Sequence, residues 1–355
     1  LPTYYADLRR ANGHPEPYGV PLWCLGNEMD GPWQICAKTA EEYGRAACET
    51  AKMMKWLDPS IELVACGSSY MSMPTFGAWE KTVLEHCFPY IDYLSLHQYY
   101  QNNDGDIPSF LARSVEMEGF IREVADICRA EKARRDSAHE VFLSFDEWNV
   151  WYHFQKEGNI PEKWVFPRPI EEERYDGADA LLVGCMINTL LRNADVVKIA
   201  CLAQLVNTIA AIMTEPNGAA WVQTIYYPFL YASRFGRGSS LRVSVDSPTY
   251  ACAVGDAIPL IDCAATLAKD GGEIVLFLIN RSLDRELECT ISLTDVGAIS
   301  ISDYVSIYGF MPGDGNTADV SSVFPRKNSS CSCGKGQVTA TLPRFSWNMI
   351  RVQIV

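Results

Sequence analysis

VFLSFDEWNVWY, residues 141 to 152, is the stretch on which the fold turns. An unbroken apolar run closes on Asp146-Glu147 and passes straight into Trp148 and Trp151. Continuous apolar strands, rather than alternating ones, belong to parallel sheets covered on both faces. In such folds the C-terminal ends of the strands carry the chemistry. A second stretch, WCLGNEMDGPWQ at 23 to 34, repeats the plan: the apolar run PLWCLGN (21 to 27) ends at Asn27-Glu28 and the chain turns through Gly31-Pro32.

Working outward, further apolar strands are predicted at IELVACG (61 to 67), IDYLSLH (91 to 97) and VVKIACLAQ (196 to 204). Helical patterns lie between them at 38 to 57, stopping at Asp58-Pro59, and at 75 to 87, 108 to 135, 171 to 193 and 219 to 236. YYADLRRANGH, residues 4 to 14, reads as one more helix, closing at Gly13. Beyond about Gly238 the texture changes to short β-rich runs: LRVSV (241 to 245), EIVLFLIN (273 to 280), LECTISL (287 to 293), ISDYVSIYGF (301 to 310) and MIRVQIV (349 to 355). Separated by Asp, Gly, Pro and Ser turns, they predict an antiparallel β-sandwich, and residues 326 to 336 read as a polar loop. The expected division is therefore 1–237, an α/β domain, and 238–355, a sandwich.

Composition narrows the function classes. The 355 residues are 48% hydrophobic, enough to fill such cores. Thirty Lys and Arg against 44 Asp and Glu give a net charge of −14, which disfavours nucleic acid and anionic membranes as partners. The apolar stretch from Val196 to Met213 is broken by Lys198, Gln204 and Asn207, so no membrane span is expected. Most of the 13 cysteines, Cys24, Cys66, Cys128, Cys185 and Cys201 among them, sit in apolar runs and are expected to be buried thiols in a reducing, cytoplasmic setting. Cys331 and Cys333 have no second Cys/His pair at zinc-site spacing.

No GxGxxG or GxxxxGK[ST] run is present, so a nucleotide-binding doubly wound sheet loses its main support. The other architecture with this pattern is a (β/α)8 barrel, of which the five strands are the fourth to eighth. A closed barrel has no free edges, whereas five strands leave two, so the chain, which begins at Leu1, is expected to be a fragment of a longer reading frame.

Taken alone, a glutamate at a strand end is more often a salt-bridge partner or helix cap than a catalyst. Two of them, each beside an amide or acid and each followed by tryptophan, point elsewhere. Sugar rings have apolar faces edged with hydroxyls, so a glycan site needs aromatic platforms, here Trp33, Trp148, Trp151 and Tyr152, with carboxylates between them. Glycoside hydrolysis uses two carboxyl groups, one to protonate the departing oxygen and one to attack the anomeric carbon or activate water. Chain order does not assign the roles.

The two motifs closely resemble those of the family-51 glycoside hydrolases, the α-L-arabinofuranosidases. The likeness continues through ADLRRANGHPEPYG, KWLDPSIELVACGSS, MPTFGAWE, SLHQYY, DALLVGCMINTLL and VKIACLAQLVNTIA, covering about the first 237 residues. It implies a retaining barrel enzyme with a C-terminal sandwich, acting on arabinose-containing oligosaccharides or polysaccharides without a cofactor. Position by position, it implies that Glu28 is the general acid/base, with Asn27 holding the sugar 2-hydroxyl, and Glu147 the nucleophile, oriented by Tyr99. His97 falls in the same SLHxYY segment, and Gln204 is expected to bind an arabinose hydroxyl. By themselves His97 and Gln204 read as hydrogen-bonded core residues, and Trp151 is equally a platform or core. Family members are often hexamers, so a homo-oligomer is implied. Complete members carry three further strand-helix units before the residue matching Leu1. Other readings are a β-xylosidase or endoglucanase of the same clan and a non-catalytic carbohydrate-binding protein. A metalloenzyme is disfavoured, because the five histidines lack an HExxH or another close ligand pair.

Overall fold

The structure, a computed structural model, describes residues 3–153 and 171–355. In chain order come α1 (Tyr4–Ala11), β1 (Leu22–Cys24), α2 (Ala40–Leu57), β2 (Glu62–Ala65), α3 (Ala78–Cys87), β3 (Tyr93–Tyr100), α4 (Ile107–Arg134), β4 (Phe142–Val150), α5 (Gly177–Arg192) and β5 (Val197–Leu202). The five strands form one sheet in the order β1-β2-β3-β4-β5, with parallel pairing of β1 to β2, β2 to β3 and β4 to β5. Sequential parallel strands joined by helices make this the partial (β/α) barrel wall expected for the fourth to eighth units.

A hairpin of β6 (Ile212–Thr214) and β7 (Ala220–Val222) precedes the last helix, α6 (Tyr226–Phe235). The antiparallel part comprises β8 (Ser239–Leu241), β9 (Thr249–Cys252), β10 (Gly255–Pro259), β11 (Ile261–Leu267), β12 (Glu273–Asn280), β13 (Leu287–Ser292), β14 (Ile299–Ile307), β15 (Arg326–Lys327), β16 (Cys331–Gly334), β17 (Gln337–Leu342) and β18 (Ser346–Ile354). A six-stranded sheet, β15-β14-β18-β12-β11-β8, faces a three-stranded one, β13-β17-β16, and β9 and β10 form a separate hairpin.

The chain packs as two compact units, Leu1–Ser69 with Met73–Ser95 and Ile127–Phe142, and Tyr70–Ser72 with Leu96–Asp126 and Leu143–Val355. In the first, α2 starts at a capping box in which Thr39 and Glu42 satisfy each other's backbone N–H groups. It buries Tyr43, Ala47 and Ala51, spaced four apart and so on one face. The Tyr43 ring stacks on Trp79 of α3 at 5.5 Å. Both rings also hold the end of β2, since Cys66 N donates to Tyr43 Oη and Trp79 Nε1 donates to Cys66 O.

In the second unit α5, apolar around most of its circumference, is buried from Gly177 to Leu190. Gly184 permits this: a Cβ there would lie 2.7 Å from Trp347 Cδ1 of β18. The sheet beneath is also covered twice, with Ile274, Leu276 and Leu278 of β12 entering the sandwich core. The intervening Val275, Phe277 and Ile279 are buried as well. At this seam Asp262 accepts from Arg281 Nη2 at 2.8 Å, Arg192 Nη1 at 3.1 Å and Asn188 Nδ2 at 2.8 Å.

The structure departs from the sequence reading in several places. The predicted helix at 219–236 is a strand followed by a shorter helix, because Glu215-Pro216-Asn217-Gly218 makes a turn that folds β7 back on β6. Residues 326–336 carry β15 and β16 instead of a plain loop. The run at 241–245 contributes a strand only through Leu241. Cys66, Cys128 and Cys185 are buried, but Cys24 and Cys201 are exposed, because they lie on β1 and β5, the two outer strands of the five. All 13 cysteines are free thiols.

Candidate active site

In the first unit, the chain leaves β1 through a tight sequence of bends. Gly26 has φ 148° and Glu28 φ 46°, a left-handed conformation uncommon for a glutamate. Gly31 N donates to Glu28 O at 2.9 Å, and Gln34 N donates to Gly31 O at 3.0 Å, so the Gly31-Pro32 turn folds the chain back over the acid. Its product is specific: Trp33 Nε1 donates to Glu28 Oε2 at 2.5 Å and Gln34 Nε2 donates to the same oxygen at 3.2 Å. Gly31 must be glycine here, since a Cβ would sit 2.4 Å from Trp33 Cε2. Asp30 points the other way, accepting from the backbone and hydroxyl of Ser69. Asn27 is exposed beside Glu28.

In the second unit, β3 and β4 supply His97, Tyr99, Asp146 and Glu147. Tyr99 Oη donates to Glu147 Oε1 at 2.7 Å. The buried His97 ring lies between two acids, its Nε2 3.1 Å from Asp146 Oδ1 and its Nδ1 3.6 Å from Glu147 Oε2. Consecutive strand residues normally point to opposite faces, yet Asp146 and Glu147 both reach this ring. The β4–β5 register shifts between Phe145 and Trp148, and such an irregularity re-aims side chains in this way. Ser144 Oγ donates to the far oxygen of Asp146 at 3.1 Å, completing a chain from β4 through the imidazole to Glu147.

Trp151 packs edge-on to Tyr99 at 4.9 Å and stacks on His153 at 3.7 Å. Burial lowers the His153 imidazole from its ordinary range. Burial also raises the Cys201 thiol, with the Asp146 carboxylate adding to it. Gln204 is exposed on the segment after β5, its N–H donating to Ile209 O at 2.9 Å.

His97, Tyr99, Glu147 and Trp151 therefore form one cluster, while Gln204 occupies a neighbouring loop in the same unit, and Asn27 and Glu28 belong to the first unit. Sequence reasoning missed Asp146 as a partner of His97, and it treated Trp33 as a platform where the structure makes it a donor to Glu28. Both signals were local: an acid immediately before Glu147, and a tryptophan placed by a Gly-Pro turn five residues after Glu28.

What this arrangement can do is hold one carboxylate, Glu147, in a fixed pose by a phenol and an imidazole, and hold another, Glu28, by an indole and an amide. Parallel strands ending in such acids, followed by an antiparallel sandwich, define the class as a barrel glycoside hydrolase with an appended β-domain.

Comparison with known proteins narrows the class. Residues 146–346 match the profile of the α-L-arabinofuranosidase C-terminal domain. Over 351 residues the chain is 48% identical to the intracellular exo-α-(1→5)-L-arabinofuranosidase 1 of Bacillus subtilis, covering 99% of this chain and 70% of that protein. It is 42% identical over 363 residues to the exo-α-(1→6)-L-arabinofuranosidase of Bifidobacterium longum, covering 99% and 69% respectively. A family-51 α-L-arabinofuranosidase structure from Bifidobacterium longum superposes with a TM-score of 0.91 at 37% identity, again over 99% of this chain and 70% of that one. The chain belongs to the family-51 α-L-arabinofuranosidases.

Proposed function

We propose that the chain is a retaining, exo-acting α-L-arabinofuranosidase releasing terminal arabinofuranose from arabinan, arabinoxylan or their oligosaccharides. The observation that carries this reading is the Glu147 carboxylate, hydrogen-bonded by Tyr99 and flanked by the His97–Asp146 pair, in a chain with this family match. Donation by Tyr99 fixes which oxygen of the carboxylate is engaged, as a nucleophile requires.

In the first step Glu28 protonates the departing glycosidic oxygen while a Glu147 oxygen bonds to the anomeric carbon, giving a glycosyl ester of inverted configuration. In the second, Glu28 takes a proton from water, which attacks the same carbon, releases Glu147 and restores the original configuration. Trp33 and Gln34 stabilise the ionised Glu28 that this second step needs. Asn27 and Gln204 bind sugar hydroxyls and Trp151 is a platform in the same reading, which also takes 1–237 as the catalytic portion and 238–355 as the sandwich. The relatives named for (1→5) and (1→6) linkages leave the linkage to experiment. Several carry the word intracellular in their names, which supports a cytoplasmic enzyme, and a homo-oligomer belongs to the same reading. Among the described residues no helix is long and apolar enough to cross a membrane.

The test is hydrolysis of 4-nitrophenyl α-L-arabinofuranoside by the chain, Glu147→Ala and Glu28→Ala, each with added azide. Retention at Glu28→Ala, giving the α-azide, and inversion at Glu147→Ala, giving the β-azide, is the expected pattern. A folded chain that binds arabino-oligosaccharides without releasing sugar would replace turnover with binding, and preferential cleavage of β-xylosides would replace the substrate.

A further inference from the structure

Two residues beyond Glu147 on β4 stands Asn149, fully buried, whose side chain does not face the acids' partners. Its Nδ2 donates to Ala203 O at 2.6 Å and Ile209 O at 3.0 Å, with Tyr175 Oη at 3.3 Å, and its Oδ1 accepts from Val150 N at 2.8 Å. Ala203 and Ile209 bound the segment that carries Gln204. Ala203 O belongs to the peptide preceding Gln204, and Ile209 O is the acceptor of Gln204's own N–H. A single amide thus closes both sides of the segment and ties it to the strand of Glu147.

The segment needs such a tie. Asn207 and Ile209 have φ 63° and 44°, and a β-branched residue in the left-handed region is a genuine outlier that persists only where its surroundings over-determine it. Ile209 is anchored by its N–H to Glu171 O at 2.8 Å and by its carbonyl to Asn149 and Gln204. Gln223 braces the next residue, donating to Ala210 O at 2.8 Å.

We propose that Asn149 is a positioning residue that sets the Gln204 amide for sugar binding, coupling the nucleophile strand to the hydroxyl-reading loop. It rests on the arabinofuranosidase reading for the role of Gln204. A residue that merely filled the core would change the folded fraction and leave the loop and KM of folded molecules alone.

The experiment uses the full chain with Asn149→Ala, the milder Asn149→Ser, Gln204→Ala and the Asn149→Ala/Gln204→Ala double variant. In deuterium exchange, peptides covering 203–210 should exchange roughly tenfold faster in the Asn149 variants while 141–147 is unchanged. On the aryl arabinofuranoside, each single variant should lower kcat/KM roughly ten- to a hundredfold through KM, with the pH profile unmoved. The double variant should be no worse than the worse single one. Unchanged exchange at 203–210, multiplying factors in the double variant, or a Gln204→Ala enzyme with parental kinetics would each overturn the proposal. A parent inactive on arabinofuranosides would sink the functional reading instead, and the exchange arm alone would then decide whether Asn149 holds the loop.

Discussion

Two polar clusters of the second unit are built on different terms. At the seam of α5 with β11 and β12, Asp262 is surrounded by Arg281, Arg192 and Asn188. Burial pushes its carboxyl up, but the two guanidinium groups and the amide outweigh burial and hold it below the ordinary range. Arg281 also donates to Ser114 Oγ and Pro259 O, so both terminal nitrogens of its guanidinium are paired. At the end of β4 the partners are of another kind. Asp146 and Glu147 stand side by side with an imidazole and a phenol between and beside them. Guanidinium groups hold the seam carboxylate, whereas an imidazole and a phenol hold the strand-end carboxylates where a cationic transition state has to be met.

The comparison breaks most visibly at Glu147. Glu147→Gln keeps shape and a Tyr99 contact but removes the nucleophile, and kcat should fall on the order of 10⁴-fold or more with little change in the melting temperature. Steady-state kinetics beside calorimetry check it. Equal losses in activity and stability would mean that the carboxylate is structural.

The converse experiment is Asp262→Ala. It strands Arg281, which is buried, and should cost about 3–5 kcal/mol of stability, read from urea unfolding, because a buried charge losing its partner is penalised in full. Activity per folded molecule should stay near the parent's. A loss under about 1 kcal/mol would show that the neighbours re-pair or that water enters.

A smaller effect sharpens the β4 side. Tyr99→Phe removes one hydrogen bond to a carboxylate, worth about 1.5–3 kcal/mol where the acceptor is charged. The matching fall in kcat is about ten- to a hundredfold. If Tyr99→Phe changes KM alone, the phenol binds substrate rather than orienting Glu147.

The sequence made these two regions legible to different degrees. Strand-end glutamates were visible because a parallel strand announces itself as a continuous apolar run, and the acid that closes it has nothing apolar to explain it. His97 and Tyr99 came from the family resemblance in the SLHxYY segment, since a histidine ending a strand reads by itself as a hydrogen-bonded core residue. The seam was invisible: Asp262, Arg281 and Arg192 are separated in the chain, and only the packing of α5 on β12 joins them. β11 escaped notice because Ile261-Asp262-Cys263-Ala264 puts a charge inside an apolar strand, which reads as a break until its partners are known. Trp33 was misjudged for a similar reason, since an aromatic after a turn shows its ring in the sequence but not the donor on its edge. The hairpin of β6 and β7 lay under a helical pattern, and the Pro-Asn-Gly turn inside it was the stronger signal.

Asp179, on the first turn of α5, takes the comparison to its smallest expected effect. It is buried like Asp262 but lies beside Asp176 instead of arginines. Burial raises its carboxyl well above the ordinary range and Asp176 adds to this, against donation from the Asp176 N–H and the Tyr152 hydroxyl. Unfolded, the same carboxyl titrates near ~3.9. Above that pH the unfolded chain releases a proton that the folded chain keeps, so this residue makes stability fall as pH rises until the folded group itself ionises. Asp179→Asn can preserve both contacts, its oxygen accepting from Asp176 N and its amide donating to the rotatable Tyr152 hydroxyl, while removing the titration. The variant's melting temperature should therefore decline less than the parent's between about pH 5 and about pH 8, with a difference on the order of 1 kcal/mol. Parallel curves would mean that Asp179 is accommodated as an anion.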